Sequence, residues 1–527
     1  MREARDEPPA PILPGALSIA AIGTALVAAL LWEARFAQWL SVASAYADGL
    51  LRWWYVALVA FLTAFVIWLG IGRYKNVRLG RDDEQPEYAL LPWLAMLFAA
   101  GTGVGLLFWS IAEPVSHFQG NPFVPEGMTP EAASVAIQLS FFHWGLNGWA
   151  IFATVALIFG YFSYRRDLPL VPSSALYPVL GERAFGVAGQ TVDALAVFAT
   201  VFGLATTLGL GARQTGTGLT WLFGMPGSTM VELLVVAVVT VVATVSVVSG
   251  VRRGVRALSE LNLWLTVVLL AGFLLLGPAG YLVGLLVQET GNYLDNLLAM
   301  TFYVGANEPG TWQSTWTVFF WGWWIAWSPF VGLFIARISR GRTLREFVFG
   351  VLLLPTLVTF VWIALMGGTA LHSELFADGG IVEAVNDDVA SAVFATIEHL
   401  EAPRLAEVLM GAVATLLIGI YFVTSADSGA LVINIILSGG RLEPSRPARA
   451  AWALGNGALT AVLLVAGGIA VLQDAVILAA LPFSLIIVLM LWGFILALRH
   501  EPLAAPREGC KHQRAAEPWT GADEASP

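Results

Sequence analysis

Apolar residues along this chain gather in blocks instead of alternating one by one with polar ones. Twelve blocks stand out, at 16–32, 53–71, 90–111, 134–162, 189–212, 230–249, 261–287, 315–336, 346–371, 407–438, 450–472 and 475–498. A helix of about 20 apolar residues crosses the roughly 30 Å of hydrocarbon in a bilayer. One such block would fit a buried helix of a soluble core, but a dozen in one chain do not. The pattern predicts an all-α integral membrane protein with twelve transmembrane helices.

The polar residues between the blocks carry a second signal. All 27 Lys and Arg except Arg35, Arg52, Arg213 and Arg404 fall in alternate segments, from Arg2 and Arg5 through Arg73, Lys75, Arg78 and Arg81 to Arg499, Arg507, Lys511 and Arg514. Cytoplasmic loops carry the Lys and Arg excess, so both termini are expected in the cytoplasm. A wrong number of spans would scramble this alternation. Composition agrees, since 57% of residues are hydrophobic and 12% charged, about half the charged fraction of a soluble domain. The formal net charge of −10 says less than the placement of the charges. Cys510 is the single cysteine, which excludes an internal disulfide and a thiolate metal cluster. The polar start is followed by a full-length apolar stretch with no clear cleavage site, unlike a signal peptide.

The expected organisation is a cytoplasmic tail at 1–15, two accessory helices in 16–88, a five-helix unit in 89–288, an external amphipathic segment at 289–313, a second five-helix unit in 314–499 and a short cytoplasmic tail at 500–527. The segment 372–406 reads as an acidic, partly helical external loop. Blocks three to seven start from the inside and blocks eight to twelve from the outside. Two inverted units of this kind build many secondary transporters, with the site at midplane between discontinuous helices. Both leading spans carry candidate interruptions. The first holds Gly101, Thr102, Gly103, Val104 and Gly105 (GTGVG), and the second holds Ser328 and Pro329. Each glycine weakens a helix by about 1 kcal/mol relative to alanine, and freed backbone groups in lipid must find other partners. An unwound GTGVG stretch would offer carbonyls to a cation and amides to a carboxylate.

Tryptophan usually marks the membrane interface. Here Trp321, Trp323, Trp324 and Trp327 lie deep in one span, and Trp144, Trp149 and Phe152 in another. Such a cluster suits a quaternary ammonium, which forms no strong hydrogen bond but is drawn to ring faces. In block ten, Thr424, Ser425, Ala426, Asp427 and Ser428 (TSADS) offer oxygens to a hard cation, and Asp427 is a membrane-embedded acid. Thr200, Thr206 and Thr207 are polar positions on a small-residue helix, with Arg213 near its outer end as a snorkelling residue. No phosphate loop is present, which argues against an ATP-driven pump. The six histidines show no metal-ligand spacing. No nucleophile pattern or ring of charges favours an enzyme or a channel.

At these residues the chain resembles the betaine/choline/carnitine transporter family. The densest match runs from Trp316 to Arg345 (WTVFFWGWWIAWSPFVGLFIARISRGRTLR), supported by the span with AAGTGVGLLFWSIAEPVSHF, by FFHWGLNGWAIF and by TSADS. The resemblance implies a LeuT-like fold of two inverted five-helix repeats plus two N-terminal helices, a homotrimer, and alternating access. It also implies an aromatic box matched by Trp144, Trp149, Phe152 (a tyrosine in the family) and Trp324, with Trp323 and Trp327 along the path and Thr102, Gly103 and Gly105 beside it. Sodium-coupled members place one ion at positions matched by Ala99, Thr102, Phe422, Thr424 and Ser425, where Thr102 replaces a methionine. Their second site is matched by Thr200 and Phe330, but Leu204 stands in place of its second threonine. Exchangers put a fixed positive charge in the ion site, and no basic residue occupies these stretches here. Gly105 leaves the site neutral, where some choline-carrying relatives have an aspartate.

The expectation is therefore a non-enzymatic importer in a bacterial inner membrane, serving osmoprotection. It would carry a zwitterionic onium solute such as glycine betaine, with sodium as coupling ion, no other cofactor and no nucleic-acid partner. A sodium-independent exchanger of the carnitine type, and a symporter of choline, dimethylsulfoniopropionate or ectoine, remain the alternatives.

Overall fold

The computed structural model describes residues 11–101, 103–249, 252–307 and 310–502, and only the backbone of 98–101 and 252–257. Helices follow one another along the chain, and the extended pairing among the described residues is limited to two isolated bridges. The first helices are α1 (Leu13–Leu31), α2 (Glu33–Ile71), α3 (Leu90–Gly101), α4 (Val104–Gln119), α5 (Pro130–Trp144), α6 (Leu146–Gly160), the single turn α7 (Tyr177–Leu180) and α8 (Val187–Phe223). There follow α9 (Thr229–Ser249), α10 (Arg252–Leu276), α11 (Ala279–Phe302), α12 (Phe319–Ile338) and α13 (Leu344–Phe376). The last are α14 (Ile381–Asp387), α15 (Ala392–Glu398), α16 (Arg404–Leu437) and α17 (Arg446–Arg499).

Ten helical stretches among the described residues are long and apolar enough to cross a membrane. Their surfaces are the reverse of a soluble protein's. Large apolar side chains such as Leu234, Val245, Trp264 and Leu275 face outward, while Glu113, His143, Thr207 and Glu289 are buried. That distribution suits a hydrocarbon solvent, where polar groups must be satisfied internally. The α5–α6 stretch and α12 are almost wholly enclosed, whereas α1, α9 and α10 keep mostly exposed faces. Helix α12 packs chiefly on α6, α17 and α8, so the tryptophan-rich segment lies at the centre of the bundle.

Several boundaries differ from expectation, each for a local reason. The predicted loop 33–52 is helical and continues into α2. Within it Arg52 folds back one turn onto Asp48 and also reaches Ser314. The block at 261–287 ends early, because Gly277 and Pro278 stop α10. The amphipathic segment is correspondingly longer, and α11 lays Glu289 and Tyr293 inward against α5 and α13. The two last blocks lie within α17, whose 54 residues are interrupted by non-helical Gly467 and Gly468. That turn falls a few residues before the predicted loop. Gly468 has φ 66°, a left-handed conformation that favours glycine.

The interruption expected at Ser328 and Pro329 is not a break, and α12 runs through it. Proline removes the hydrogen bond to the carbonyl four residues back, here Ile325. The Ser328 hydroxyl donates to that carbonyl at 2.8 Å, so the helix loses little. The interruption at GTGVG is real: α3 ends at Gly101, α4 begins at Val104, and Gly103 is fully extended. Another break, not anticipated, separates α5 from α6 at Gly145.

The segments after α2 and after α12 are tied together by backbone bonds, with Leu79 accepting from Gly341 and donating to Arg342. Thr343 and Glu346 then form a reciprocal cap that starts α13.

Candidate functional site

Gly103 beside the first break and Gly148 just after the second approach Trp327 and Trp324 of α12, and an aromatic pocket lies there. It is lined by Gly103, Gly105, Trp144, Gly148, Trp149, Phe152, Trp323, Trp324 and Trp327, with Leu106 and Thr359, and encloses a cavity of only about 20 Å³. Trp144 meets Trp324 edge-on at 4.8 Å between ring centroids, and Phe152 meets Trp324 at 5.6 Å, also edge-on. Trp149 closes on Phe152 at 5.6 Å. Trp323 is stacked on Trp324 at 5.1 Å with planes 9° apart. Several aromatic rings thus line one small pocket, and aromatic rings attract a cation placed over their faces.

Glycines permit this crowding. A Cβ on Gly105 would sit 2.4 Å from Trp323 Cη2, and one on Gly148 would sit 3.0 Å from Trp324 Nε1. The indoles are anchored individually. Trp324 Nε1 donates to the His143 carbonyl at 2.9 Å, one of the carbonyls left unpaired at the C-terminal end of α5. Trp323 Nε1 donates to Thr207 Oγ1 at 3.2 Å, and Trp144 Nε1 to Glu113 Oε2 at 2.8 Å. Trp327 Nε1 is buried and has no partner among the described residues.

Every aromatic residue named from the sequence for the box thus meets in one place, and so do Gly103 and Gly105. Thr102 lies outside the described residues, and of Ala99 only the helical backbone is described. The ion positions fare unequally. Phe422 packs near Gly211 and the start of α4. Thr424 and Ser425 are half-buried, and the Thr424 hydroxyl donates to the Ile420 and Tyr421 carbonyls at 3.1 Å. Its oxygen keeps acceptor capacity, and an all-oxygen set suits a hard cation. The second set offers few side-chain oxygens. The Thr200 hydroxyl donates to Ala196 within α8, Phe330 packs on Trp327, and Leu204 presses its methyls against Gly429. Thr200 supplies the one side-chain oxygen among Thr200, Leu204 and Phe330.

Two readings of single residues change. Arg213 does not simply extend toward an interface, but pairs with Glu232 and Asp388. The histidines are not all scattered. His117 and His143 converge on Glu113, and all three are fully buried. Glu113 Oε1 lies 2.6 Å from His143 Nδ1 and 3.4 Å from His117 Nε2. Their donor atoms are close enough to hold a metal ion, yet Thr317 and Trp312 complete the two imidazoles. Every polar atom of the cluster is thereby partnered without a metal. The Glu113–His117 spacing of four was the available sequence signal, while His143 arrives from another helix.

A helical bundle with apolar outer faces and a central pocket between broken helices fits a multi-pass membrane transporter. The chain belongs to the BCCT family, the betaine/carnitine/choline family transporters, whose model matches residues 15–503. It is 42% identical over 452 residues to a probable glycine betaine transporter of Desulfitobacterium hafniense, covering 85% of this chain and 90% of that one. It is 40% identical over 461 residues to the glycine betaine transporter OpuD of Bacillus subtilis, covering 87% and 89%. A glycine betaine/proline/choline/ectoine transporter of Vibrio parahaemolyticus is 40% identical over 447 residues, covering 84% and 78%.

Proposed function

We propose that this protein imports a zwitterionic onium solute of the glycine betaine kind by sodium-coupled alternating access. The observation that carries the reading is the pocket of edge-on Trp144, Trp149, Phe152 and Trp324 beside the broken α3–α4 span. Ring faces suit the methylated head, and about 2 kcal/mol is available from such contacts when desolvated. The unpartnered Trp327 indole N–H and the extended backbone at Gly103 are donors suited to a carboxylate. The relatives' names agree with an onium solute.

Sodium coupling rests on the Phe422, Thr424 and Ser425 positions with Ala99 and Thr102. The poor oxygen supply around Thr200, Leu204 and Phe330 favours one sodium ion over two. Sodium bound there would couple solute movement to the inward sodium gradient.

Counting α3–α4 and α5–α6 as one broken span each, and α17 as two, gives the twelve-span plan of two inverted five-helix repeats after two accessory helices. At a rise of 1.5 Å per residue, α17 would be about 80 Å long if straight, more than two bilayer cores. The Lys and Arg distribution supports cytoplasmic termini in a bacterial inner membrane. Family likeness supports a lipid-embedded homotrimer working in osmoprotection.

Uptake of radiolabelled glycine betaine into proteoliposomes, with and without an inward sodium gradient, tests the coupling. Uptake that rises strongly with the gradient is expected. Equal uptake in both conditions would replace symport by sodium-independent exchange.

A further inference from the structure

The pocket faces are aromatic and uncharged, but a charge lies immediately behind one of them. Glu113 is fully buried on α4, and its carboxyl accepts the Trp144 indole N–H at 2.8 Å. The remaining bonds define its role. An indole N–H only donates, so Trp312 Nε1, 3.3 Å from His117 Nδ1, must donate there. His117 then carries its proton on Nε2, facing Glu113 Oε1 at 3.4 Å. His143 presents Nδ1 to the same oxygen at 2.6 Å, while its Nε2 meets the Thr317 hydroxyl at 3.0 Å. Where Thr317 donates to that nitrogen, the proton of a neutral His143 stands on Nδ1 and Glu113 faces three donors, a set that suits an ionised carboxylate; where Thr317 accepts, the proton of the 2.6 Å contact belongs to Glu113.

We infer that Glu113 is a charge-supplying positioning residue, which orients Trp144 through its indole N–H and lends the box negative potential without touching the solute. The inference rests on the onium-binding reading. A carboxylate bonded to the edge of an indole draws the N–H dipole toward itself and enriches the ring face turned to the pocket. Its field also reaches the pocket through a water-poor interior, where charges are weakly screened. The arrangement favours a positive head over a neutral one of equal shape. It also avoids placing a carboxylate inside the pocket, where it would bind the head directly and occupy the space that Trp323 and Gly105 share.

The test compares glycine betaine with tert-butylacetate, its carbon isostere, in binding to the purified full-length protein. Wild type should prefer the onium. Glu113→Gln keeps the size and an acceptor oxygen but removes the charge. It should shrink the onium-to-isostere preference about tenfold, equivalent to about 1.4 kcal/mol, with isostere affinity little changed. Glu113→Met, of similar size and also uncharged, should shrink the same ratio and serves if Glu113→Gln does not fold, while Glu113→Asp keeps the charge and should retain most of the preference. Parallel weakening of both ligands would reduce Glu113 to a structural support, and no change in either would show that it carries no charge. Either result overturns the inference while leaving onium binding standing. A wild-type protein that binds neither betaine nor another onium would overturn the functional reading and this inference with it.

Discussion

Replacing Trp324 with leucine removes the ring that touches most of the pocket. Trp324 meets Trp144 at 4.8 Å, Trp323 at 5.1 Å and Phe152 at 5.6 Å. It is almost fully buried, and its N–H caps the buried end of α5 at the His143 carbonyl. Two losses follow. The onium forfeits a desolvated ring face worth about 2 kcal/mol, which raises Kd about 30-fold at 1.4 kcal/mol per decade. The His143 carbonyl loses its partner inside the bundle, at about 1–3 kcal/mol of stability. Titration calorimetry of detergent-purified protein should therefore show at least 30-fold weaker betaine binding, with a lower melting temperature. Trp53→Leu is the control, because Trp53 is exposed and its N–H bonds only to Leu50 in its own helix. That variant should bind betaine within about twofold of wild type. Comparable losses in both variants would mean that tryptophan affects the fold generally and that the pocket has no special place.

Three further outcomes can be checked. Gly105→Ala puts a methyl 2.4 Å from Trp323 Cη2, so overpacking of about 1–3 kcal/mol should displace the Trp323–Trp324 stack and weaken betaine binding about tenfold or more. Leu204→Thr adds an oxygen one turn along the same face of α8 from Thr200, and the sodium dependence of uptake should steepen from a Hill coefficient of about 1 toward about 2; an unchanged slope would show that this region cannot hold an ion. Glu501 is buried against Arg165, Arg166 and Tyr161, so Glu501→Ala should cost about 3 kcal/mol, read as a lower melting temperature with betaine affinity preserved.

Much of the architecture was legible because lipid imposes a simple rule on long segments. Blocks of apolar residues and alternating basic loops locate helices even when the fold is unknown. Features set by one residue were harder. Pro329 looked like a break, and only the Ser328 hydroxyl on the Ile325 carbonyl reveals why α12 continues. Gly145, Asn147 and Gly148 are poor helix formers, but they sit inside an unbroken apolar block, so the end of α5 there appears only in the structure. The aromatic box was visible as depth and clustering, since its members lie on two short stretches. The Glu113 cluster was not, because His143 lies 30 residues from Glu113 and Thr317 lies 174 residues from His143. Pairings across such separations appear only once the helices are packed. Arg213 was misread for the same reason, its partners Glu232 and Asp388 coming from two other elements.

The central claim is that an onium head sits among the rings of Trp144, Trp149, Phe152 and Trp324. An experimental structure of the protein with saturating glycine betaine and sodium tests it most directly. Density for the trimethylammonium group within about 6 Å of those ring centroids, and for the carboxylate toward Gly103 and Trp327, is the predicted result. Betaine bound elsewhere, with this pocket filled only by its own side chains, would contradict it.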